Sequence, residues 1–269
     1  MAHFFTHVSN TYRLLLVVAL LLFISSQANS QQQDTTALPD LETDRPDQTE
    51  SASVVPLKTI QIEAGLYFQQ DKVGTTEVKY MAYPTTLIRI GLLNWFELRT
   101  EGTYQQLVVK DELRLKEQGF GPLTLGAKAK LWQQRGILPQ TAVMAMVDLL
   151  VGHDSFKPDN PETELRLLFK NAPTDNLDLN YNLAYSFGND QNIKSYSVSI
   201  ATGLGERLAV FGEVFGDKRD GQKAGHSIDA GLVFLALPNL QLDVAAGTAL
   251  NSVAPDLFIL TGVSLRLPR

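Results

Sequence analysis

The sequence predicts an all-β fold, a closed up-and-down antiparallel transmembrane β-barrel of about 12 strands. Three observations predict it. Apolar and polar residues alternate with period two over segments of about ten residues, long polar connections alternate with tight turns, and an export signal precedes the first segment. A tilted strand of about ten residues is long enough to cross a bilayer.

The chain begins with the pattern of a secretory signal peptide. Arg13 precedes an apolar run from Leu14 to Ile24, and small residues follow up to Ser30. The run is too short for a membrane helix, which needs about 20 residues. We therefore expect export with cleavage after Ser30. The predicted domains are a signal peptide at 1–30, a polar periplasmic or plug segment at 31–58, and an outer-membrane barrel at 59–269.

The strand pattern is clearest over 177–188. Odd positions from Leu177 to Phe187 are apolar or aromatic, whereas even positions are polar or small. Such alternation places one face on hydrocarbon and the other on a wet interior. The predicted strands are 59–69, 82–92, 96–108, 121–132, 138–151, 163–171, 177–188, 194–204, 207–216, 226–236, 239–250 and 256–267. Pro84 predicts an irregular start to the second strand, because proline has no N–H to donate.

The connections carry an independent signal, since long and short ones alternate. Long polar connections are predicted at 70–81, 109–120, 152–162, 189–193, 217–225 and 251–255, and short turns at 93–95, 133–137, 172–176, 205–206 and 237–238. An up-and-down barrel with long outer loops and short periplasmic turns predicts this alternation, whereas a Greek-key sandwich does not. Closure removes the open sheet edges, whose backbone N–H and C=O groups would find no hydrogen-bond partner in lipid.

The charged residues of the predicted strands fall at the alternate positions that face the barrel interior. An Arg or Lys on the lipid face at mid-bilayer would cost about 2–4 kcal/mol, so a consistent inward phase is itself evidence for the barrel. These inward charged residues could form a salt-bridged network that fills a narrow lumen, or they could line a selective conduction path. The lumen or pore-lining candidates are Glu63, Arg89, Glu97, Arg99, Glu101, Lys128, Lys130, Asp148, Arg166, Glu213, Asp229 and Asp243.

Composition excludes several other functions. The net charge is −6 and no Lys/Arg cluster is present, which argues against nucleic acid as a partner. Without cysteine, neither disulfides nor thiolate metal sites can form. We predict no cofactor. The expected partners are outer-membrane lipid, a small-molecule solute and the barrel assembly machinery, although the chain ends at Arg269 and not at the aromatic residue common in such barrels.

Two stretches resemble a known family. Residues 42–51, Glu-Thr-Asp-Arg-Pro-Asp-Gln-Thr-Glu-Ser, lead into the Gln-Ile-Glu-Ala-Gly of 61–65, and this resembles the N-terminal signature of the outer-membrane transporter family of the MetA pathway of phenol degradation. Residues 119–128 are similar to a strand motif of that family, with Pro122 where Asp is usual. The resemblance covers roughly 42–268. It implies an outer-membrane barrel and transport of small hydrophobic or aromatic compounds.

The first of these stretches is too polar to cross lipid. We expect it to fold back as a plug, with Arg45 paired to inner carboxylates such as Glu63 or Glu97. The alternative is a tether with a local turn. The plug candidates are Asp44, Arg45, Asp47 and Glu50.

The alternatives to passive transport are weaker. An outer-membrane enzyme acting on lipid would need a His, and the chain after Ser30 has His153, beside Asp154 and Ser155, and His226. Acidic residues crowd the predicted loop 152–162, but we predict a solvated loop there and no metal site. A structural surface barrel is the third possibility.

Interfacial aromatics are expected at Trp95 and Trp132 on the periplasmic side, and at Tyr67, Tyr80, Tyr83 and Tyr104 near the outer end.

Overall fold

A computed structural model describes residues 38–188 and 192–268. The predicted signal peptide lies outside these residues. Over both described ranges, no helix is long and apolar enough to cross a membrane. The described residues form thirteen strands: β1 (Ile60–Val73), β2 (Thr76–Leu93), β3 (Phe96–Lys110), β4 (Arg114–Phe120), β5 (Thr124–Trp132), β6 (Gln140–Asp148), β7 (Glu162–Thr174), β8 (Leu177–Phe187), β9 (Ile193–Gly203), β10 (Leu208–Arg219), β11 (Gly225–Leu237), β12 (Leu240–Ala249) and β13 (Leu257–Leu267).

The strands close into a ring because β1 pairs with both β2 and β13. The ladder between β1 and β13 runs from Ile60 opposite Leu267 to Gln70 opposite Leu257. Elsewhere each strand pairs with its neighbours in sequence, apart from the region of β4 and β5. Closure joins the two end strands of the sheet, which is what a sheet needs in order to cross lipid.

β4 and β5 are two halves of one barrel strand, since both pair with β3. Residues 104–110 of β3 face β4, and residues 96–101 face β5. Pro122 lies at the break and cannot donate a ladder hydrogen bond, while Gly121 N still donates to Thr103 O at 2.8 Å. The thirteen strands therefore form a closed 12-stranded antiparallel barrel, which confirms the predicted fold class.

Two predicted outer connections are largely strand, and those predictions were wrong. β1 and β2 continue through residues 70–81 to a two-residue turn at Gly74 and Thr75. Gly74 has a φ of 64°, a conformation that glycine adopts at little cost. β4 likewise fills much of 109–120. Neither stretch keeps a clean alternation of apolar and polar residues, yet in both of them the strands form a hydrogen-bonded ladder.

The irregularity predicted at Pro84 is confirmed, although β2 continues through it. The register between β2 and β3 shifts between Ala82 and Thr85. β6 ends at Asp148, three residues before the predicted end.

We refer below to the end of the barrel that carries residues 149–161 as the loop end. The opposite end, where β1 begins and β13 ends, is the terminal end.

The barrel wall is apolar outside and polar inside. On β9, Val198 and Ile200 are exposed, whereas the alternate residues Ser197 and Ser199 are buried. The largest fully buried side chain is that of Arg89. A water-soluble domain would show the reverse distribution, because burying unpaired polar groups is costly. The exposed apolar face is the surface that lipid covers, so the barrel is a transmembrane one.

Candidate functional site

The plug segment, defined as residues 39–59, forms a loop inside the barrel that enters and returns at the terminal end. Near its start, the Arg266 guanidinium donates to the carbonyl oxygen of Asp40 at 3.1 Å. Near its return, Lys58 N donates to the carbonyl oxygen of Gly91 at 2.9 Å. The residues between these two anchors are therefore held within the lumen.

The carboxylate of Asp44 is the centre of the charged network. Its Oδ2 atom lies 2.5 Å from Arg99 Nη1, 2.8 Å from Lys128 Nζ and 3.2 Å from Arg89 Nη1. The Asp44 backbone N–H donates to Glu63 Oε2 at 3.0 Å. Asp44 is only 8 % exposed, so these three cations face it with little water between them. Such a charge is stable in the interior only because it is fully paired.

Arg45 is held by a row of four residues on four neighbouring strands. Gly65 of β1 lies opposite Gly262 of β13, and the row continues to Thr85 on one side and Asp243 on the other. Arg45 Nη2 lies 3.2 Å from Asp243 Oδ1, and Nη1 donates to Thr85 Oγ1 at 3.3 Å. The two glycines leave room for the guanidinium, since a Cβ at either position would fall 2.3 to 2.5 Å from its nearest nitrogen.

Arg45 therefore pairs with an inner carboxylate as predicted, but with Asp243 and not with Glu63 or Glu97. Glu63 instead accepts from Asp44 N and pairs with Arg89 at 3.1 Å, and Glu97 pairs with Arg89 at 2.9 Å. The sequence offered no sign that Asp243 is the partner, because it lies 198 residues after Arg45 and is one of several carboxylates predicted to face the lumen.

Two further acids of the plug segment face the basic side of the lumen. Glu50 Oε2 lies 3.0 Å from Arg99 Nη2, and its Oε1 lies 3.5 Å from Arg166 Nη1. Glu42 Oε1 pairs with Lys170 Nζ at 3.2 Å. The plug segment thus neutralises cations on β3 and β7.

On the opposite side, the plug segment meets an acid. Gln48 N donates to Glu213 Oε2 at 2.7 Å, and the Thr49 hydroxyl donates to Glu213 Oε1. Asp47 lies beside Glu213 and Ser199. Here the plug segment supplies hydrogen-bond donors and a second acid, Asp47, and it supplies no positive charge.

The twelve lumen candidates all lie in the inward phase of their strands. Eight are buried: Glu63, Arg89, Glu97, Arg99, Lys128, Glu213, Asp229 and Asp243. Four are partly exposed: Glu101, Lys130, Asp148 and Arg166. All four plug candidates, Asp44, Arg45, Asp47 and Glu50, lie among these inward side chains. The structure brings most of the cations into one network around Asp44, and it leaves Asp229 apart from them.

A cavity of about 490 Å³ lies on the loop side of the plug segment. Its floor includes Asp44, Arg45 and Asp47, and Gln69 and Gln105 contribute amides to its wall. Four aromatic side chains give it an apolar side: Tyr67, Tyr80, Phe215 and Phe258. The cavity therefore offers both ring faces and hydrogen-bonding groups to a small molecule.

These aromatic rings contact one another. The Tyr67 and Phe258 rings are stacked with centroids 6.3 Å apart, and the Tyr67 and Tyr80 rings meet edge to face at 5.9 Å. The expectation that Tyr67 and Tyr80 belong to an outer interfacial belt was wrong, since both line the cavity. Tyr83 and Tyr104 do pair on the outer face, at 5.9 Å.

Sequence reasoning missed this aromatic wall, although one signal for it was present. Counting by twos from Glu63 on β1 places Tyr67 on the inner face. On β2 the same count from Arg89 places Tyr80 outside, and only the register shift beside Pro84 turns it inward.

A second cavity of about 280 Å³ lies beside β5, β6 and β7, and its lining includes the acids Glu50, Glu101, Asp148, Glu162 and Glu164. Arg166 sits among them and pairs with Glu164 at 2.8 Å. In the neighbouring loop, Asp154 pairs with Lys157 at 2.5 Å, and this contact lowers the pKa of Asp154. Over residues 38–188 and 192–268, no group of three or more His, Asp or Glu side chains is arranged to hold a metal ion.

The two histidines considered for catalysis have other partners. His153 Nδ1 accepts from Ser155 N at 3.3 Å, while the Ser155 hydroxyl donates to Glu117 at 3.1 Å. His226 Nδ1 lies 2.9 Å from the Tyr196 hydroxyl. In this arrangement the serine hydroxyl is directed to a carboxylate and not to a histidine base.

Comparison with known proteins gives one family and several barrels. The family model described as "Putative MetA-pathway of phenol degradation" matches residues 43–267. A search of curated proteins found no match. An outer membrane channel from Pseudomonas putida F1 is similar in structure, with a TM-score of 0.61 at 10 % identity, covering 83 % of this chain and 99 % of that one.

Two other solved barrels are similar at lower scores. The translocator domain of the autotransporter NalP from Neisseria meningitidis has a TM-score of 0.51 at 10 % identity and covers 96 % of this chain and 97 % of its own. The KdgM porin in complex with disordered oligogalacturonate has a TM-score of 0.50 at 13 % identity, and the match covers 77 % of this chain and 98 % of the porin chain. At such identities, the likeness establishes the fold alone.

Proposed function

Since this chain belongs to the family described as "Putative MetA-pathway of phenol degradation", we propose that it is an outer-membrane barrel for the passive transport or binding of small hydrophobic or aromatic molecules. The cavity of about 490 Å³ carries the proposal. Its volume is within the usual range of small-ligand sites, and such sites combine apolar walls with a few polar groups. Here the stacked rings of Tyr67 and Phe258 form the apolar wall, and the amides of Gln69 and Gln105 are the polar groups.

The plug segment is the gate in this proposal. It forms the floor of the cavity, so a solute that enters from the loop end meets it before reaching the terminal end. Within the described residues, none of the strands includes any part of it. Its wall contacts between Asp44 and Val55 each use at least one side chain. Such contacts can be exchanged for water without breaking the barrel ladder.

Planar-bilayer conductance tests the gate. We expect the protein lacking residues 31–55 to conduct more than the full mature chain. Deletion of residues 31–38 alone, which leaves the plug segment in place, is the matched control and should resemble the full chain. Heat-dependent gel mobility of each protein verifies that the barrel has folded. If folded barrels conduct in neither form, the transport proposal fails.

Uptake of a small phenol into vesicles that contain the protein tests the solute class. We expect faster uptake than into vesicles of the same lipid without protein. A barrel that only presents a surface structure would give neither conductance nor uptake. An enzyme acting on lipid would release fatty acid from phospholipid, and a His153→Ala variant would lose that release.

The location and processing of the chain belong to the same proposal. The exposed apolar wall supports contact with outer-membrane lipid, and assembly would use the barrel assembly machinery. Mass spectrometry of the protein from a membrane fraction should find an N-terminus at Gln31. An intact Met1 would contradict the proposed cleavage.

A further inference from the structure

Ion-paired and unpaired inner acids lie on different sides of the lumen. The cations Arg89, Arg99 and Lys128 lie on β2, β3 and β5, where the plug segment supplies acids to them. On β10 and β11 the inward acids are Glu213 and Asp229. Within residues 38–188 and 192–268, neither of these two forms an ion pair. One wall of the lumen is therefore neutralised, and the other is not.

The uncompensated acids belong to a continuous row, which we name the polar row: Asn180, Ser199, Glu213 and Asp229. Asn180 of β8 lies opposite Ser199 of β9, which lies opposite Glu213 of β10. Glu213 in turn lies opposite Asp229 of β11. Side chains at directly opposite positions on neighbouring strands are about 4.5–5.5 Å apart at Cβ. The four oxygen-bearing side chains therefore stand next to one another on the inner face.

Several oxygens of this wall have no partner among the described residues. Both carboxylate oxygens of Asp229 are buried without a hydrogen bond, and Asp229 is only 4 % exposed. The Oδ1 atom of Asn180 is also buried and unbonded. Asn182, one inward position further along β8 and 3 % exposed, has neither side-chain atom bonded. Leaving such groups unsatisfied is costly, and a bound cation would satisfy the oxygens.

Access to the polar row comes from the cavity of about 490 Å³. Asp47 lines that cavity and lies beside Glu213 and Ser199, so it connects the cavity to the row. An ion that enters from the loop end would pass from Asp47 to Glu213 and then to Asp229. Rings or rows of carboxylates are a means by which channels favour cations.

We propose that the polar row, together with Asp47, binds small monovalent cations and makes the lumen cation-selective. The absence of a converging metal-ligand group in the described residues favours a weakly held monovalent ion over a chelated divalent one. The selectivity part of this inference rests on the proposed function as a channel. The binding part does not.

Reversal potentials in a KCl gradient test the selectivity. The wild type should prefer K⁺, and E213Q/D229N should lower the K⁺ to Cl⁻ permeability ratio by about tenfold, or about 1.4 kcal/mol. The control D154N/D159N removes the same charge from the exposed loop 149–161 and should leave the ratio unchanged. A wild type that conducts with no preference, or prefers Cl⁻, overturns the inference and leaves the channel proposal standing.

Thermal unfolding tests binding without any current. In detergent, the wild type should have a higher Tm in KCl than in N-methyl-D-glucamine chloride of the same concentration, because an ion that binds only the folded state stabilises it. E213Q/D229N should show no such difference. Equal Tm values for the wild type in the two salts overturn the inference, even if the barrel does not conduct or the variant does not fold.

Discussion

Arg45 occupies the space that a side chain at Gly65 would need. A Cβ built at Gly65 would lie 2.3 Å from Arg45 Nη2, and Gly262, opposite Gly65, confines the guanidinium from the neighbouring strand. The Asp-Arg of the plug segment and the Glu-Ala-Gly of β1 belong to the two parts of the stretch that resembles the family's N-terminal signature. They are in contact in the folded chain, because Asp44 N donates to Glu63 and Arg45 lies against Gly65.

The first prediction follows from that contact. Gly65→Ala should displace Arg45 from Asp243 and loosen the plug segment, because the new methyl group meets the guanidinium. We expect higher bilayer conductance than in the wild type. Gly102→Ala is the control, since a Cβ there would meet nothing within 4 Å. Equal conductance of Gly65→Ala and the wild type would contradict the role given to Arg45.

The second prediction concerns Asp44. Asp44→Asn should release the plug segment, because it leaves Arg89, Arg99 and Lys128 without their shared counter-ion, and breaking a buried ion pair costs about 3–5 kcal/mol. Hydrogen exchange over residues 39–59 should become faster, with the barrel strands unchanged. Asp40→Asn is the control, since Asp40 is exposed and contacts Arg266 through its carbonyl group. Unchanged exchange in Asp44→Asn would show that the network does not hold the plug segment.

The third prediction tests the cavity. Tyr67→Ala should weaken the binding of a small phenol by about threefold to tenfold, since it removes a ring that stacks on Phe258, and ring contacts are worth about 0.5–1.5 kcal/mol. Tyr83→Ala removes the same side chain from the outer face and should leave binding unchanged. Titration calorimetry with the detergent-solubilised protein measures both. Comparable losses in the two variants would place the binding outside the cavity.

The fourth prediction tests the lipid face. Val244→Arg, in the middle of the exposed face of β12, should destabilise the barrel by about 2–4 kcal/mol. Leu250→Arg, just beyond the end of β12 at the loop end, should cost about 0–1 kcal/mol. Reversible urea unfolding in the presence of lipid vesicles gives both values. If Val244→Arg costs no more than Leu250→Arg, Val244 does not lie at mid-bilayer.

Much of the fold and part of the site could be predicted from local pattern. The inward phase of Arg89, Lys128 and Glu213 follows from period-two alternation, because a strand shows every second side chain to the same face. Where that alternation is not clean, as in 70–81, the pattern carries no information about pairing, and the prediction of a loop there was wrong.

Local sequence pattern was enough to predict the barrel, because alternation is a property of neighbouring residues and closure follows from the hydrogen-bonding demands of backbone in lipid. The inner carboxylate that pairs with Arg45 could be identified only in the folded chain, since the pairing depends on the space that Gly65 of β1 and Gly262 of β13 leave. The same holds for Tyr80, which enters the lumen because a register shift beside Pro84 reverses which side chains of β2 face inward. Contacts set by three-dimensional spacing and by local irregularity are not encoded in any periodic pattern.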